Sequence, residues 1–290
     1  MAVLVDKDTK LCVSGITGRE GSFHSLNNRT YGTQVVSGVT PGKGGQDVEG
    51  IPVFDTFHDA VSETGANTAM VFVPPRFAAD SILEAEDAGI DLIIAITEGI
   101  PAHDELRVYN HIQRGSSRLL GPNCPGILSP GKANVGIIPA TFFSEGNVGL
   151  VSRSGTLTYQ IGNELAGRGF GNSSIVGIGG DPVPGSSFID VIELFEADPE
   201  TELIVLSGEI GGDAEEKAAE YIGEHVTKPV VAYIAGFTAP PGKTMGHAGA
   251  VVSGSKGTAA AKAEALEANG VRVGRTPTEV AEIAVEVLGS

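Results

Sequence analysis

Short, nearly unbroken apolar runs alternate along this chain with segments whose apolar residues recur every three or four positions. "KLCVSG", "TQVVSG", "NTAMVFVPP", "IDLIIAITEG" and "SRLLGPNCPG" are runs of the first kind. "FHDAVSETGA", "FAADSILEAEDAG" and "AHDELRVYNHIQRG" are of the second. A strand that is apolar on both faces must be covered on both faces, and amphipathic helices have one face with which to do it. Regular strand–helix alternation therefore confines the chain to the α/β class, with parallel strands between two helix layers. The helix after "KLCVSGITGREG" is expected from about Ser22.

The alternation pauses after Pro130. "SPGKANVGIIPATFFSEG" shows no helical period, and we read residues 131–145 as a connector with room for a short strand pair. It then restarts with the strands "NVGLVSRSG", "SSIVGIGG", "ELIVLSGEIGG", "KPVVAYIAG" and "VRVGRT". "LTYQIGNELAGRG", "FIDVIELFEAD", "AEEKAAEYIGEHV", "TAAAKAEALEANG" and "PTEVAEIAVEVL" follow them as helices. Two doubly wound domains are expected, residues 1–130 and 146–290, the second with five strands.

Composition narrows the function. At 290 residues and 41% hydrophobic content the chain can build two cores. It has no apolar stretch long enough for a membrane span, and the charged segment Met1 to Lys10 lacks a signal-peptide core, so we expect a cytoplasmic protein. The net charge of −17 argues against nucleic-acid backbones as partners. An acidic surface of this kind suits high salt, where ions screen self-repulsion, and we expect a halophilic source. Cys12 and Cys124 lie in apolar or Gly/Pro contexts without CxxC spacing and read as structural thiols in a reducing compartment. No His/Cys cluster has metal-ligand spacing.

In open α/β sheets ligands collect at the carboxyl ends of the strands, so the glycine-rich loops there carry the chemistry. "GITGREG", Gly15 to Gly21, follows a strand and opens a helix. It lacks the G-x-G-x-x-G dinucleotide pattern, but its amides and the helix N-terminus can cradle a phosphate, with Arg19 as a cation. "VTPGKGG" places Lys43 on a Gly/Pro loop without Walker A spacing, where it can still reach a phosphate as a point charge. "ITEGIP" ends an apolar strand with Thr97 and Glu98, and the rigid "GPNCPG" closes the first sheet at the same rim. "SRSGTLTYQ" puts Ser154, Gly155 and Thr156 at a helix start, an anion site by construction, and lacks the first glycine of a hydrolase elbow. "SGEIGG" ends a strand with Glu209, which can accept a hydrogen bond from an imidazole and favour its charged form. On each stretch alone, a plain turn, a solvated lysine or a solvated glutamate is an equal reading.

His247 stands in "TMGHAGAVVSG", inside a connection from Gly236 to Gly257 that is longer than most in compact domains. Its neighbours Gly246, Ala248, Gly249 and Ala250 have almost no side chain, so the ring can be approached from several sides. That suits a nucleophile meeting two partners in turn, such as a phosphorylated imidazole. It would need an anion site, for which Ser154 to Thr156 qualify, and a carboxylate such as Glu209. Spacing alone leaves a plain loop histidine as an equal reading. The other histidines, His24, His58, His103, His111 and His225, lie on or beside predicted helices and read as surface or packing residues.

Taken together and in order, "GITGREGSFHS", "GVTPGKGG", "ITEGIP", "GPNCPG", "VSRSGTLTY", "GIGGDPVPGSSFID", "GEIGG" and "YIAG…GHAGA" closely resemble the α subunit of succinyl-CoA synthetase, or succinate–CoA ligase. The likeness covers nearly the whole chain and is looser over the last twenty or so residues. It implies a Rossmann-like CoA-binding domain followed by a flavodoxin-like ligase domain carrying a phosphohistidine. Thr17, Gly18, Arg19 and Glu20 match positions that bind CoA, as do Lys43, Ile96, Thr97 and Glu98. Tyr159 matches a substrate-contacting position, His247 the histidine that takes the phosphoryl group, and Glu209 the glutamate that steadies it. The resemblance also implies an ATP-grasp β subunit in an αβ or α2β2 assembly, binding the Mg-nucleotide, with CoA, succinate and phosphate as small-molecule partners. This chain lacks a phosphate lysine and Mg carboxylate set of its own. Two departures stand out. Arg19 and Glu20 replace small or amide side chains, and Gln160 replaces a glutamate.

Rival readings are distinguishable. A ligase acting on malate, citrate or another acid would differ in the pocket around Tyr159. A nicotinamide-dependent dehydrogenase would need G-x-G-x-x-G and an acidic residue ending the second strand. A non-catalytic CoA-binding regulator would not need the His247 loop.

Overall fold

The computed structural model of the chain describes residues 3–240, 244–252 and 257–289. The first unit contains β1 (Lys10–Ser14), α1 (Arg19–Tyr31), β2 (Gln34–Val39), β3 (Asp47–Val48), β4 (Ile51–Phe54), α2 (Phe57–Thr64), β5 (Thr68–Val71), α3 (Pro75–Asp87), β6 (Leu92–Ala95), α4 (Ala102–Ile112) and β7 (Arg118–Leu120). These strands form one seven-stranded sheet in the order β3-β4-β2-β1-β5-β6-β7. Only the β3–β4 ribbon is antiparallel, and the remaining pairs are parallel. Apart from that ribbon's outer strand, this is the doubly wound order of dinucleotide folds, with direction reversing between β1 and β5.

The second unit contains β8 (Gly126–Ser129), β9 (Ala133–Gly136), a 3-10 turn (Ala140–Phe142), β10 (Glu145–Ser152), α5 (Gly155–Ala166), β11 (Asn172–Gly177), α6 (Phe188–Ala197), β12 (Leu203–Glu209), α7 (Ala214–His225), β13 (Val230–Ala235), α8 (Ala259–Ala268), β14 (Arg272–Gly274) and α9 (Pro277–Leu288). Its sheet runs β14-β13-β12-β10-β11-β8-β9. The β10 to β14 core is the flavodoxin-like order, reversing between β10 and β12.

The α/β class and both doubly wound sheets stand as expected. Three details differ. The end of the expected first domain supplies β8 and the connector supplies β9; β8 pairs antiparallel with β9 and with β11, so the second sheet has seven strands and begins at Gly126. Its short hairpin strands carry too few residues for a period to show. For the same reason β3 and β4, broken by Glu49 and Gly50, gave no strand signal. The first helix begins at Arg19, a turn earlier than its apolar pattern, because the glycine loop itself winds into the helix.

The buried strand segments are continuous: β5 and β6 in the first sheet, and β11 and β12 in the second, are buried at every residue. No helix among the described residues is long and apolar enough to cross a membrane. The caps follow the sequence. Thr56, Ser154, Ser187, Thr258 and Thr276 each accept a backbone N–H in the first turn of a helix, which satisfies donors the helix leaves unpaired.

Candidate active site

The reversal between β1 and β5 opens a cleft of about 380 Å3 at the carboxyl edge of the first sheet. Glu20, His24, Phe72, Val73, Pro75, Ile96, Thr97, Glu98 and Ile137 line it. Its floor depends on a tight strand–helix approach: a Cβ at Gly21 would lie 2.3 Å from the Gly15 carbonyl oxygen. Gly18 caps α1 without a side-chain hydrogen bond, so the helix N-terminus faces the cleft mouth with its amides unscreened by a capping side chain. Lys43 Nζ donates to Thr17 Oγ1 at 3.1 Å, which brings the "VTPGKGG" loop over the "GITGREG" loop. Thr97 Oγ1 is turned inward to the Val73 carbonyl at 2.8 Å. Arg19 is almost fully exposed and pairs loosely with Glu20, at 3.6 Å.

His24 was expected on the surface or in packing. It packs, its ring stacked on Phe72 at 5.5 Å between centroids, and in doing so it lines the cleft, a place the sequence did not indicate. Burial holds its pKa below the usual imidazole range, so the ring is a neutral, flat wall at pH 7.

The second site lies where β10 and β12 separate. Glu209, the last residue of β12, is nearly buried, and its Oε2 lies 2.7 Å from His247 Nδ1. This charge-assisted contact raises the His247 pKa, against the opposing effect of burial. Glu209 Oε1 faces Arg153 Nε at 3.5 Å. Arg153, directly after β10, also reaches Glu215 Oε1 at 3.8 Å, while Glu215 accepts from the Glu209 amide at 3.1 Å. Lys262 on α8 is fully buried, pairs with Glu215 Oε2, and donates to the Gly211 carbonyl at 2.6 Å. Arg153 and Lys262 thus lie under the histidine among Glu209 and Glu215, with Glu216 at 3.6 Å from Lys262 at the edge of the set. This set anchors the turn after β12 to the helix that follows the histidine loop.

The ring of His247 rests on Gly180, in the loop after β11. A Cβ at Gly180 would come within 2.3 Å of the imidazole, so the bare backbone is what admits the ring. With Nδ1 held by Glu209, Nε2 is the nitrogen left for chemistry. Of the histidine loop, residues 241–243 and 253–256 lie outside the described residues.

Ser154 caps α5, its hydroxyl accepting from the Leu157 amide at 3.4 Å. Its own amide donates to Ser152 Oγ at 3.1 Å, which leaves Gly155 and Thr156 to present the N-terminal amides. Tyr159 is one turn along α5, and its hydroxyl faces Gly155. Burial pushes its phenol up to about 12, so it is a neutral donor. Burial likewise pushes the thiols of Cys12 and Cys124 up to about 12, and neither is a thiolate at neutral pH.

One turn joins the sites. The Asn123 amide donates to the Thr97 carbonyl at 3.0 Å, and the Asn123 carbonyl accepts from the Gly180 amide at 3.2 Å. The cleft of the first sheet and the seat of His247 are therefore one hydrogen-bonded residue apart. Sequence reasoning did not single out Gly180, Arg153, Glu215, Lys262 or His24. The Gly-Gly-Asp-Pro run at residues 179–182 was the one available signal, a glycine pair at a strand's carboxyl end.

The architecture is that of a two-unit α/β protein with a candidate site at each switch point. Residues 6–99 match the CoA binding domain family and residues 151–272 the CoA-ligase family. The chain is 57% identical over 99% of its length to succinate–CoA ligase [ADP-forming] subunit alpha 2 of Archaeoglobus fulgidus, covering all of that relative. It is 58% identical to the corresponding alpha subunit of Aquifex aeolicus, covering 99% of this chain and 95% of the relative. The chain belongs to the succinate–CoA ligase α-subunit family. Among solved structures, ATP citrate lyase of Methanothrix soehngenii, in complex with citrate and coenzyme A, superposes with a TM-score of 0.88 at 27% identity. That match covers 99% of this chain and 50% of the lyase chain.

Proposed function

We propose that this chain is the CoA- and acid-handling subunit of a succinate–CoA ligase and relays phosphorus through His247. The 2.7 Å contact between His247 Nδ1 and Glu209, at the second switch point, is the observation that carries the reading. In it, the first sheet's cleft holds CoA. The loop amides of Thr17 to Glu20 and Lys43 meet its phosphates, and Ile96, Thr97 and Glu98 line its path toward Asn123. Gly155 and Thr156, with Ser154 shaping the helix start, offer amides to the phosphate or phosphoryl group, and Tyr159 lines the acid's pocket.

Phosphate displaces CoA from succinyl-CoA, giving succinyl phosphate and the thiol. His247 Nε2 attacks phosphorus, and the P–O bond to succinate breaks, releasing the carboxylate. Glu209 holds the Nδ1 proton and offsets the charge that develops on the ring. The phosphohistidine then passes its phosphoryl group to ADP or GDP on an ATP-grasp β subunit. The long loop would carry the ring between the two sites. The working unit is an αβ or α2β2 assembly in the cytoplasm, and the net charge of −17 suits a halophilic one.

The test is labelling of the assembled complex with radiolabelled ATP. Acid-labile label on the wild-type chain and none on His247→Ala is the expected result. Equal labelling of both, or of neither, overturns the mechanism. Rates with succinate, malate and citrate settle the acid, and succinate is expected to be fastest.

A further inference from the structure

Asp181 follows Gly180, the residue on which the His247 ring rests, and it is almost completely buried. Its Oδ1 accepts from Asn123 Nδ2 at 2.9 Å. Its Oδ2 is buried and receives nothing from any N–H or hydroxyl among the described residues. Near it is another carboxyl, that of Glu105, in the first turn of α4 and equally buried, and close enough to be raised by the Asp181 charge. Glu105 Oε2 in turn accepts from the Val183 amide at 3.2 Å. Two carboxyl groups in contact away from water repel if both are ionised, and a single shared proton turns the contact into a hydrogen bond.

We propose that Glu105 and Asp181 form a one-proton latch that ties the first domain's α4 to the loop seating His247, making Glu105 a positioning residue for phosphoryl transfer. This rests on the phosphohistidine reading above. The placement gives the latch its reach. α4 directly follows the "ITEGIP" loop that lines the first cleft, and Asp181 is covalently next to Gly180. A closed latch therefore fixes the histidine seat relative to the cleft. Burial first, and the Asp181 charge second, push the Glu105 carboxyl up to about 7, so the proton is held below neutrality and lost as pH rises through it. Beyond the pair itself, the titratable and charged groups facing Asp181 are His247, from the loop after β13, and Cys124, from the turn after β7. Arg153 also acts on the imidazole, opposing the effect of Asp181 on its charge.

The latch strengthens the fold fully below the unfolded carboxyl value near 4.5 and loses that contribution as pH rises through about 7. Glu105→Gln keeps a hydrogen-bond donor toward Asp181 and has no proton to lose. In the assembled complex, the rate of His247 labelling is measured from pH 6 to pH 8.5 and expressed as the ratio of variant to wild type. The ratio cancels His247's own titration. It is expected near unity at pH 6 and to rise at least about threefold by pH 8.5, as most wild-type latches open. Glu105→Ala is expected to be slow at every pH. The melting temperature of the full chain gives a readout independent of catalysis: the variant's advantage over wild type should grow across pH 6 to 8. Asp181→Asn, which removes the facing charge, should flatten the same pH dependence if Glu105→Gln folds poorly. A pH-independent ratio together with a pH-independent melting difference overturns the latch. Absence of label on wild type would overturn the phosphohistidine reading, and the melting experiment would still decide the latch.

Discussion

The two switch points solve the same problem with opposite chemistry. At the first, between β1 and β5, Phe72, Val73, Pro75, Ile96 and Ile137 make a largely apolar wall beside Glu20, Thr97 and Glu98, and glycine-loop amides, one neutral histidine and a single reaching lysine lie around it. At the second, between β10 and β12, four charged side chains are packed under one imidazole. A cleft made of amides and flat walls can hold a large, flexible anion without side chains having to be ordered around it. A site that must place a nucleophile repeatedly benefits from a base locked by paired charges whose rotamers are already fixed. The difference teaches that shared topology sets where a site lies, and the residues just past the strand ends set what it does.

The contrast can be broken most severely from beneath the histidine. Lys262→Met strips the fully buried Glu215 of its closest cation, leaves it only the longer Arg153 contact at 3.8 Å, and should cost roughly 3–5 kcal/mol of stability, measured by denaturant unfolding. Removing the equivalent charge at the first site should cost far less, because Lys43 is exposed.

Glu209→Gln comes next. It exchanges a charge-assisted hydrogen bond for a neutral one and should slow His247 labelling by roughly 10- to 100-fold, a loss of about 1.5–3 kcal/mol. Because Glu209 raises the His247 pKa, the acid limb of the labelling profile should move to lower pH in this variant. An unmoved limb would mean that the carboxylate only holds the ring in place.

Gly21→Ala tests the packed backbone of the first site. The new Cβ meets the Gly15 carbonyl, and the resulting strain should cost about 1–3 kcal/mol in thermal or denaturant unfolding, with CoA affinity falling in step. Lys43→Ala should do the least. We expect folding unchanged, CoA binding by calorimetry weakened several-fold, and the deficit shrinking as salt is raised, since an exposed charge is screened.

Much of this was legible beforehand. Continuous apolar runs such as "DLIIAI" and "LIVLSG" could be little but covered parallel strands, and the glycine loops after them marked the carboxyl edges. Glu209 and His247 were readable as a pair because each sits past a strand end among small residues. The connector was read as having room for a short strand pair, but that β8 and β9 would extend the second sheet was not legible, since β8 gains its place only by pairing with β11 and β9 only by pairing with β8. That His24 packs into the wall of the cleft was not legible, because the helix sequence gives no sign of what its second turn faces. Arg153, Glu215 and Lys262 look in sequence like ordinary helix and loop charges, and Lys262 sits in an alanine-rich helix with no marked apolar face.

By itself, then, the sequence determined the two α/β units, the loops at their carboxyl edges and the histidine in its bare setting. Those follow from local period, glycine placement and strand-end position, which act over a few residues. Tertiary structure alone decided that Glu105 faces Asp181, that Lys262 and Arg153 share Glu215, and that one asparagine links both clefts. Such contacts join residues dozens of positions apart, and their strength comes from water exclusion, which exists only once both sheets have closed around them.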